Sequence, residues 1–429
     1  MSHPRLGTSA LLAWALLAVA VLVALRLWQG EAYWEYSDGV YALTGRLVLH
    51  GSGLYRDIAA AQPPPVYYAG AGVLAFGDSV ATLRAGLSVV AFVTSLLVLL
   101  CVWRLTRSRP AAVVAGLLAL VTPWALREHA QLVPETFAAP LVLGAALAGS
   151  RGGRGATLAG ALAALAVAFK LALLLPALAV LLAARRRGRA LLAAAVVGGT
   201  LAAGFLLAFG VPLLDGAVRA QRQTGTSALH YVAGLWAQAG WNLMPLLACA
   251  LLAWPAWRSA ASEDERALLR TLAAAAMGSL LLLLTLFKHG SYLTVVLVAE
   301  PPLLCLAAAG VVAAARARAT GRLALAGAAA VLAAIEVGSL LASPADPGLF
   351  TRPLAASGPS WTLSPAQVRQ EVAAQRACPP GIPSSGPPYL AFAAGRRIAG
   401  DQPDQFIVAN AAILARFRRV AELDQPRCP

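Results

Sequence analysis

Charged residues are scarce in this sequence. Asp, Glu, Lys and Arg together make up only 12% of its 429 residues, about half of the ~25% that is usual in soluble proteins. Hydrophobic residues reach 59%, and they recur in runs of about 20, the length that spans ~30 Å of hydrocarbon. The composition therefore excludes a soluble globular protein and predicts an all-α polytopic membrane protein.

Common catalytic signatures are missing as well. The sequence contains no Walker loop, dinucleotide-binding fingerprint or nucleophile elbow, which argues against ATP hydrolysis and serine-hydrolase chemistry. Its five cysteines and five histidines do not show the spacing of a metal site. Lysine occurs only at 170 and 288, and this preference for arginine, together with the excess of alanine, glycine and proline, is typical of a GC-rich bacterial genome.

The net charge of +15 is explained by membrane topology and does not require a nucleic-acid partner. Nearly half of the 34 basic residues lie in short loops that the positive-inside rule assigns to the cytoplasm. The loops assigned to the opposite side hold eight acidic residues, whereas the cytoplasmic loops hold only three. The cytoplasmic group consists of Arg5, Arg104, Arg107, Arg109, Arg151, Arg154, Arg185, Arg186, Arg187, Arg189, Arg258, Arg266, Arg270, Arg316, Arg318 and Arg322.

Hydropathy and charge together predict about eleven transmembrane helices, with the N-terminus in the cytoplasm and the C-terminus outside it. We therefore expect a multi-pass protein of the bacterial inner membrane. A break at Lys170 divides one apolar stretch into two short helices, and segment 66–76 is expected to re-enter the membrane or lie in its interface. The predicted spans are 9–28, 82–103, 110–126, 132–149, 156–169, 171–184, 190–210, 242–257, 267–287, 292–315 and 323–342.

The sequence divides into a transmembrane domain, residues 1–342, and a small extracytoplasmic C-terminal segment, residues 343–429, of predicted α/β type. An amphipathic stretch at 364–377 and a run at 404–420 are typical of helices, and the run at 389–394 is typical of a strand. The polar residues 401–404 between the last two fit a capped turn, or an approach to a substrate. Because disulfides persist outside the cytoplasm, we predict that Cys378 and Cys428 pair.

The predicted first extracytoplasmic loop, residues 29–81, is the most informative segment. Loops between membrane helices are usually short and plain, whereas this one is rich in carboxylates and tyrosines. Such side chains at a membrane surface indicate an active site. The residues concerned are Glu31, Glu35, Asp38, Asp57, Tyr33, Tyr36, Tyr41, Tyr55, Tyr67 and Tyr68.

The order of motifs in this loop resembles that of the GT-C membrane glycosyltransferases, specifically glycosyltransferase family 39 with its protein mannosyltransferases and lipid A aminoarabinose transferases. Two later parts of the sequence also fit the family pattern, Phe169-Lys170 and the stretch from Lys288 to Tyr292. The family often has Asp-Glu where this chain has Asp38-Gly39. The loop motifs are Asp38 with Tyr41, Gly53-Leu54-Tyr55, Pro63-Pro64-Pro65-Val66-Tyr67-Tyr68, Phe76-Gly77-Asp78 and Arg84.

The resemblance implies a GT-C-like fold and the transfer of a sugar from a polyprenyl-phosphate donor to a glycan, lipid or protein hydroxyl, with inversion at the anomeric carbon. It nominates Asp38 as general base, and Asp57 and Glu135 are further candidate carboxylates. A lipid phosphate at the interface needs cations. The candidate binding residues are Arg56, Arg84, Lys170, Lys288, His289, Tyr292 and Tyr41. These residues do not require a cofactor. The sequence leaves open whether a divalent cation binds.

Each candidate also has a structural interpretation. Asp38 fits a helix N-cap, Asp57 fits a surface turn, and Glu135 fits the first turn of a helix, where an acid suits the dipole. Lys170 and Lys288 fit anchors that snorkel to the membrane interface.

Two other classes of protein compete with a glycosyltransferase. A transporter or lipid flippase is expected to have charges at the midplane and an internal repeat, whereas here the charges lie mostly at one face and no repeat stands out. A catalytically inactive GT-C-like assembly protein is the other alternative. Glu300 and Glu336 fall within predicted spans, where an ionisable residue is a functional candidate by default.

Overall fold

A computed structural model gives the fold, and within its described part only isolated β-bridges occur beside the helices. This confirms the all-α prediction for those residues. The structure describes residues 7–33, 36–221, 225–254, 257, 260, 262–288, 291–342, 363–379, 381–384 and 386–404.

Between several of the helices lie 3₁₀ turns, at Leu171–Leu173, Leu281–Phe287 and Leu293–Val295. The bounds are α1 Thr8–Gln29, α2 Tyr36–Leu49, α3 Pro65–Leu74, α4 Val80–Thr106, α5 Arg109–Leu118, α6 Pro123–Glu128, α7 Pro134–Gly149, α8 Arg154–Phe169, α9 Leu174–Ala183, α10 Arg187–Phe209, α11 Val211–Leu214, α12 Leu229–Leu251, α13 Glu263–Leu280, α14 Val296–Arg316, α15 Thr320–Ala342, α16 Pro365–Arg376 and α17 Pro388–Ala394.

Among the described residues, six helical segments are long and apolar enough to cross a membrane: Thr8–Gln29, Val80–Thr106, Arg187–Phe209, Glu263–Phe287, Leu293–Arg316 and Thr320–Ala342. Shorter apolar helices lie among them at Arg109–Leu118, Pro134–Gly149, Arg154–Phe169 and Leu171–Ala183. Every predicted span overlaps a helix, but the count of eleven crossings stays a prediction.

Small residues allow several of these helices to approach closely. A Cβ added to Gly160 of α8 would lie 2.2 Å from the carbonyl oxygen of Ala190, at the start of α10. One added to Gly278 of α13 would lie 2.6 Å from Cα of Pro176 in α9. Such backbone contacts through glycine and alanine are the usual way in which helices associate inside membranes, where burial of apolar side chains gives no advantage over lipid.

The predicted break at Lys170 is present. Helix α8 ends at Phe169, Lys170 is extended with φ −157° and ψ 125°, and a 3₁₀ turn then leads into α9. The short segment predicted at 66–76 forms α3, which begins with Pro65 in its first turn.

Two predicted spans have different limits in the structure. The span at 110–126 ends early because Thr122 and Pro123 start a new helix, α6, after α5 has ended at Leu118. The span at 242–257 belongs to a helix that begins at Leu229. Polar residues such as Gln238 and Asn242 obscured this helix in the sequence, yet both are buried against neighbouring helices.

The described part of the C-terminal segment is helical, so its predicted α/β character is wrong there. The amphipathic stretch at 364–377 forms α16, and a capping box of Ser364 and Gln367 starts it. The predicted strand at 389–394 is α17 instead. Pro388 occupies its first turn and Gly395 ends it in the left-handed region with φ 71°, so helix start and stop signals outweigh the apolar run.

Two sequence predictions for the C-terminal segment reach beyond the described residues. Cys378 is disulfide-bonded, whereas Cys428 lies outside the described residues, so this pairing stays a prediction. The run predicted as a helix at 404–420 also lies outside them from residue 405 onward.

The C-terminal segment packs directly on the first loop. Backbone hydrogen bonds join Tyr33 and Leu363 in both directions, at 3.1 and 2.8 Å. The rings of Tyr33 and Tyr389 stack with centroids 4.8 Å apart. A Cβ on Gly39 of α2 would lie 2.1 Å from the backbone nitrogen of Tyr389, so α17 rests on the backbone of α2 at a position that only glycine allows.

Replacing Gly39 with alanine should therefore loosen the C-terminal segment. The new methyl group meets helix backbone, which cannot rotate away, and overpacking of this kind costs about 1–3 kcal/mol. We expect a lower melting temperature in detergent and faster proteolysis of residues 363–404. Gly72→Ala is the matched control, because Gly72 lies in neighbouring α3 with nothing within 4 Å of its added Cβ. Equal stability of the two variants would contradict this packing.

Candidate active site

Asp38 lies in a buried ion pair at the start of α2. One carboxylate oxygen is 2.7 Å from an Arg84 guanidinium nitrogen, and the other accepts a hydrogen bond from the backbone N–H of Leu132 at 2.6 Å. The side chains of Asp38 and Arg84 are 1% and 6% exposed. Both oxygens of this carboxylate are therefore engaged, and the pair joins α2, α4 and the segment before α7.

The N-cap interpretation of Asp38 is wrong. Helix α2 begins at Tyr36, so Asp38 is its third residue. Its partners come from distant parts of the chain, not from its own first turn. The carboxylate thus has a tertiary role in addition to any effect on the helix dipole.

The C-terminal segment covers this ion pair. The Arg84 guanidinium donates to the Ala130 carbonyl and lies over the ring of Tyr389, 5.4 Å from its centroid. The Tyr389 hydroxyl donates to the Glu31 carbonyl at 3.0 Å. Burial raises the pKa of Tyr389 to about 12, which keeps the phenol neutral and able to donate.

A second cluster contains Glu135 and both lysines. The Lys170 Nζ atom lies 2.5 Å from a Glu135 oxygen, and the two side chains are 21% and 1% exposed. Glu135 lies in the first turn of α7, as predicted, whereas Lys170 extends from the break between α8 and α9. The other Glu135 oxygen has no hydrogen-bond partner among the described residues.

Lys288 lies close enough to Lys170 for the two charges to interact. It donates to the side-chain oxygen of Gln221, whose amide in turn donates to the Ala61 carbonyl at 2.7 Å. Burial, and then repulsion by Lys170, lower the pKa of Lys288 to about 8, while Asp404 acts in the opposite direction. Two ammonium groups therefore share one region, an arrangement that can hold a phosphate anion.

The turn that follows α2 does not join this cluster. Asp57 accepts a hydrogen bond from the Gly53 N–H at 2.7 Å and pairs with Arg56 at 2.8 Å, and the Arg56 side chain is 72% exposed. The surface-turn interpretation of Asp57 is therefore supported by its contacts. Arg56 is a solvent-facing cation apart from the lysines.

The remaining predicted site residues have packing roles or lie outside the described residues. Tyr41 is buried and packs edge-on against Tyr67, with centroids 5.5 Å apart. Tyr292 packs against the main apolar core. His289 lies outside the described residues.

Glu300 and Glu336, which fall within predicted spans, lie at helix contacts. Glu300 accepts hydrogen bonds from the Thr122 hydroxyl at 2.6 Å and the Trp124 N–H at 3.3 Å, which ties α14 to the start of α6. Glu336 lines a cleft between α12 and α15 beside Asn242. Neither residue belongs to the two clusters described above.

Among the described residues, no group of three or more His, Cys, Asp or Glu side chains could hold a metal ion. Both Asp38 oxygens are engaged, and backbone of α17 fills the space beside Gly39 where the related pattern has a second acid. The divalent cation that the sequence left open stays an untested prediction.

Sequence reasoning missed Gln221, Tyr389 and the contribution of Asp404. The polar run at 401–404 was the only signal for the last of these, and it fitted a capped turn equally well. Nothing in the sequence indicated that Gln221 would accept a hydrogen bond from Lys288.

No protein family's sequence profile matches the chain, and no curated protein matches it. Two solved structures share its fold. ArnT from Cupriavidus metallidurans bound to undecaprenyl phosphate has a TM-score of 0.60 and 13% identity, over 94% of this chain and 89% of that one. Its apo state has a TM-score of 0.60 and 15% identity, over 95% and 89%.

ArnT is a GT-C lipid A aminoarabinose transferase. The chain thus shares the GT-C fold of ArnT, and the resemblance predicted from its loop motifs is confirmed at the level of the fold.

The buried ion pair predicts a large effect of Asp38→Asn on stability. The substitution leaves the Arg84 guanidinium buried without its counter-charge, and breaking a buried pair in this way costs about 3–5 kcal/mol. We expect a markedly lower melting temperature in detergent. Asp57→Asn, the control, removes a carboxylate from the surface turn of the same loop and should lower the melting temperature much less. If both variants lower the melting temperature equally, the Asp38–Arg84 pair does not stabilise the fold more than the surface turn does.

Proposed function

We propose that the protein transfers a sugar from a polyprenyl-phosphate donor to a hydroxyl group of a glycan, lipid or protein on the extracytoplasmic side of the bacterial inner membrane. The observation that carries this proposal is the electrostatic proximity of the only two lysines of the chain, one of which, Lys170, pairs with the buried carboxylate Glu135. The GT-C fold and the undecaprenyl phosphate bound to ArnT support the same class of donor.

The two lysines are well suited to bind the donor phosphate. With a pKa of about 8, Lys288 is mostly charged at neutral pH. Its repulsion from Lys170 is relieved when an anion binds between the two ammonium groups. The same charges stabilise the phosphate as it leaves, which is the electrostatic contribution that such a displacement requires.

The reaction needs a base for the acceptor hydroxyl. The acceptor oxygen attacks the anomeric carbon, the bond from that carbon to the phosphate oxygen breaks, and polyprenyl phosphate departs with the bonding electrons. The hydroxyl proton passes to a carboxylate. The resulting bond lies on the opposite face of the sugar, so configuration inverts.

Two carboxylates compete for the role of base. The family resemblance nominates Asp38, which must first release a hydrogen bond from Arg84 or Leu132 before it can accept a proton. Glu135 is better placed in this conformation, because one of its oxygens has no hydrogen-bond partner within the described part of the chain and the other contacts Lys170. Asp57 is the third candidate, but it stabilises the turn at Gly53. We therefore favour Glu135.

Donor binding should depend on Lys288. Lys288→Met keeps the apolar stem and removes the charge, and the loss of a charge-assisted hydrogen bond should weaken binding of undecaprenyl phosphate about tenfold or more. Binding can be measured by native mass spectrometry or microscale thermophoresis on purified protein. Arg56→Met is the matched control, since it removes an exposed cation from the same side of the protein. Unchanged affinity in Lys288→Met would make Lys288 a membrane anchor.

Turnover should identify the base. With a panel of radiolabelled polyprenyl-phosphate sugars and membrane acceptors, Glu135→Gln should lower the transfer rate by about 10²–10⁴-fold, the usual contribution of a general base. Donor affinity should change much less. If Glu135→Gln retains near-normal turnover, the role passes to Asp38. If the wild-type protein moves the lipid across the membrane without cleaving it, the flippase alternative is correct.

A further inference from the structure

The last described residues, 399–404, contain a sharp backbone turn. Gly400 has φ 62° and Asp401 has φ 52°, and the left-handed region is strained for a residue other than glycine. The Asp401 carboxylate is held there by two hydrogen bonds from the Arg397 guanidinium, at 2.8 and 2.5 Å. The Arg397–Asp401 pair thus holds this turn in an unfavourable backbone conformation.

The next two residues are attached to the first loop. The Gln402 side chain accepts a hydrogen bond from the Ala59 N–H at 2.7 Å and donates to the Asp57 carbonyl at 2.8 Å. The Pro403 carbonyl accepts a hydrogen bond from the Tyr36 hydroxyl at 3.2 Å. These contacts determine where Asp404 lies, and Asp404 itself is only 8% exposed.

The segment that holds Gln402 also holds the partner of Lys288. Gln402 binds Ala59, and Gln221, the acceptor for Lys288, binds the carbonyl of Ala61 two residues later. Residues 59–61 therefore bring Asp404 and Lys288 into the same region. Their electrostatic interaction agrees with this placement, because Asp404 acts to raise the pKa of Lys288.

We propose that Asp404 is a positioning residue, whose carboxylate keeps the Lys288 ammonium charged and directed toward the donor phosphate. This inference rests on the function proposed above. It gives the C-terminal segment a defined part in donor binding, beyond covering the first loop.

The charges around Lys288 determine the pH dependence that this role implies. Lys170 repels the ammonium group, Asp404 attracts it, and Glu135 is paired with Lys170. Without Asp404, burial and Lys170 still lower the pKa of Lys288, and the attraction by Asp404 is lost. Phosphate binding that needs the charged ammonium is present below this pKa and is lost as pH rises through it, so the loss should occur at lower pH.

The test uses the fact that the chain has only two lysines. Full-length protein is treated briefly with an amine-acylating reagent over a pH series, and mass spectrometry follows labelling of the Lys288 peptide. In Asp404→Asn, the labelling midpoint should move to lower pH by about one unit or more, the size of effect that a nearby opposite charge produces. Asp404→Glu should restore the wild-type midpoint, and Asp78→Asn, whose carboxylate pairs with Arg46, should leave it unchanged.

The same variants are then titrated with undecaprenyl phosphate. The alkaline loss of binding should move together with the labelling midpoint in Asp404→Asn, while binding at low pH is retained. An unchanged Lys288 midpoint in Asp404→Asn, or the same midpoint in the Asn and Glu variants, would overturn the inference. So would a shifted midpoint with an unshifted binding profile. If the wild-type protein binds no polyprenyl phosphate but the midpoint shifts, the proposed function fails while the coupling of Asp404 to Lys288 stands.

Discussion

The buried ion pair between Asp38 and Arg84 is the contact on which this end of the molecule depends. Taking two charges out of water is expensive, and attraction alone does not compensate for it. Here the Leu132 N–H donates to Asp38, while Arg84 donates to the Ala130 carbonyl and contacts the ring of Tyr389. The network thus offsets the desolvation of both charges, and in doing so it fixes α2, α4, the segment before α7 and the C-terminal segment against one another.

The same C-terminal segment reaches both clusters of charged residues. Tyr389 covers the Asp38–Arg84 pair, and fifteen residues later Asp404 lies near Lys288. Between them, Gln402 is attached to the backbone of the first loop. Movement of this segment would therefore alter the burial of Asp38 and the charge balance around Lys288 together. Opening one cluster to a substrate is physically linked to the state of the other.

Much of the fold was predictable from the sequence, because apolar runs, Pro and Gly define helices locally. The break at Lys170 followed from charge, and the first-turn position of Glu135 followed from Pro134. The errors have local causes too. Polar residues that are buried in α12 led to the omission of its first half from the predicted spans, and the apolar run of α17 was predicted to be a strand. The contacts of Gly39 with Tyr389 and of Gln402 with Ala59 join residues more than 300 positions apart, and single-sequence patterns contain no information about such pairs.

Gly39 is the position at which this chain departs from the Asp-Glu pattern of the family, and the departure affects the charge balance of the site. A side chain at this position would collide with the backbone of Tyr389, so a second acid after Asp38 is incompatible with the docked C-terminal segment. Arg84 is paired with Asp38, and Arg56 faces solvent beside Asp57. In the proposed function the anionic donor is therefore held by Lys170 and Lys288, and the proposed roles of Glu135 and Asp404 are to pair with Lys170 and to position Lys288.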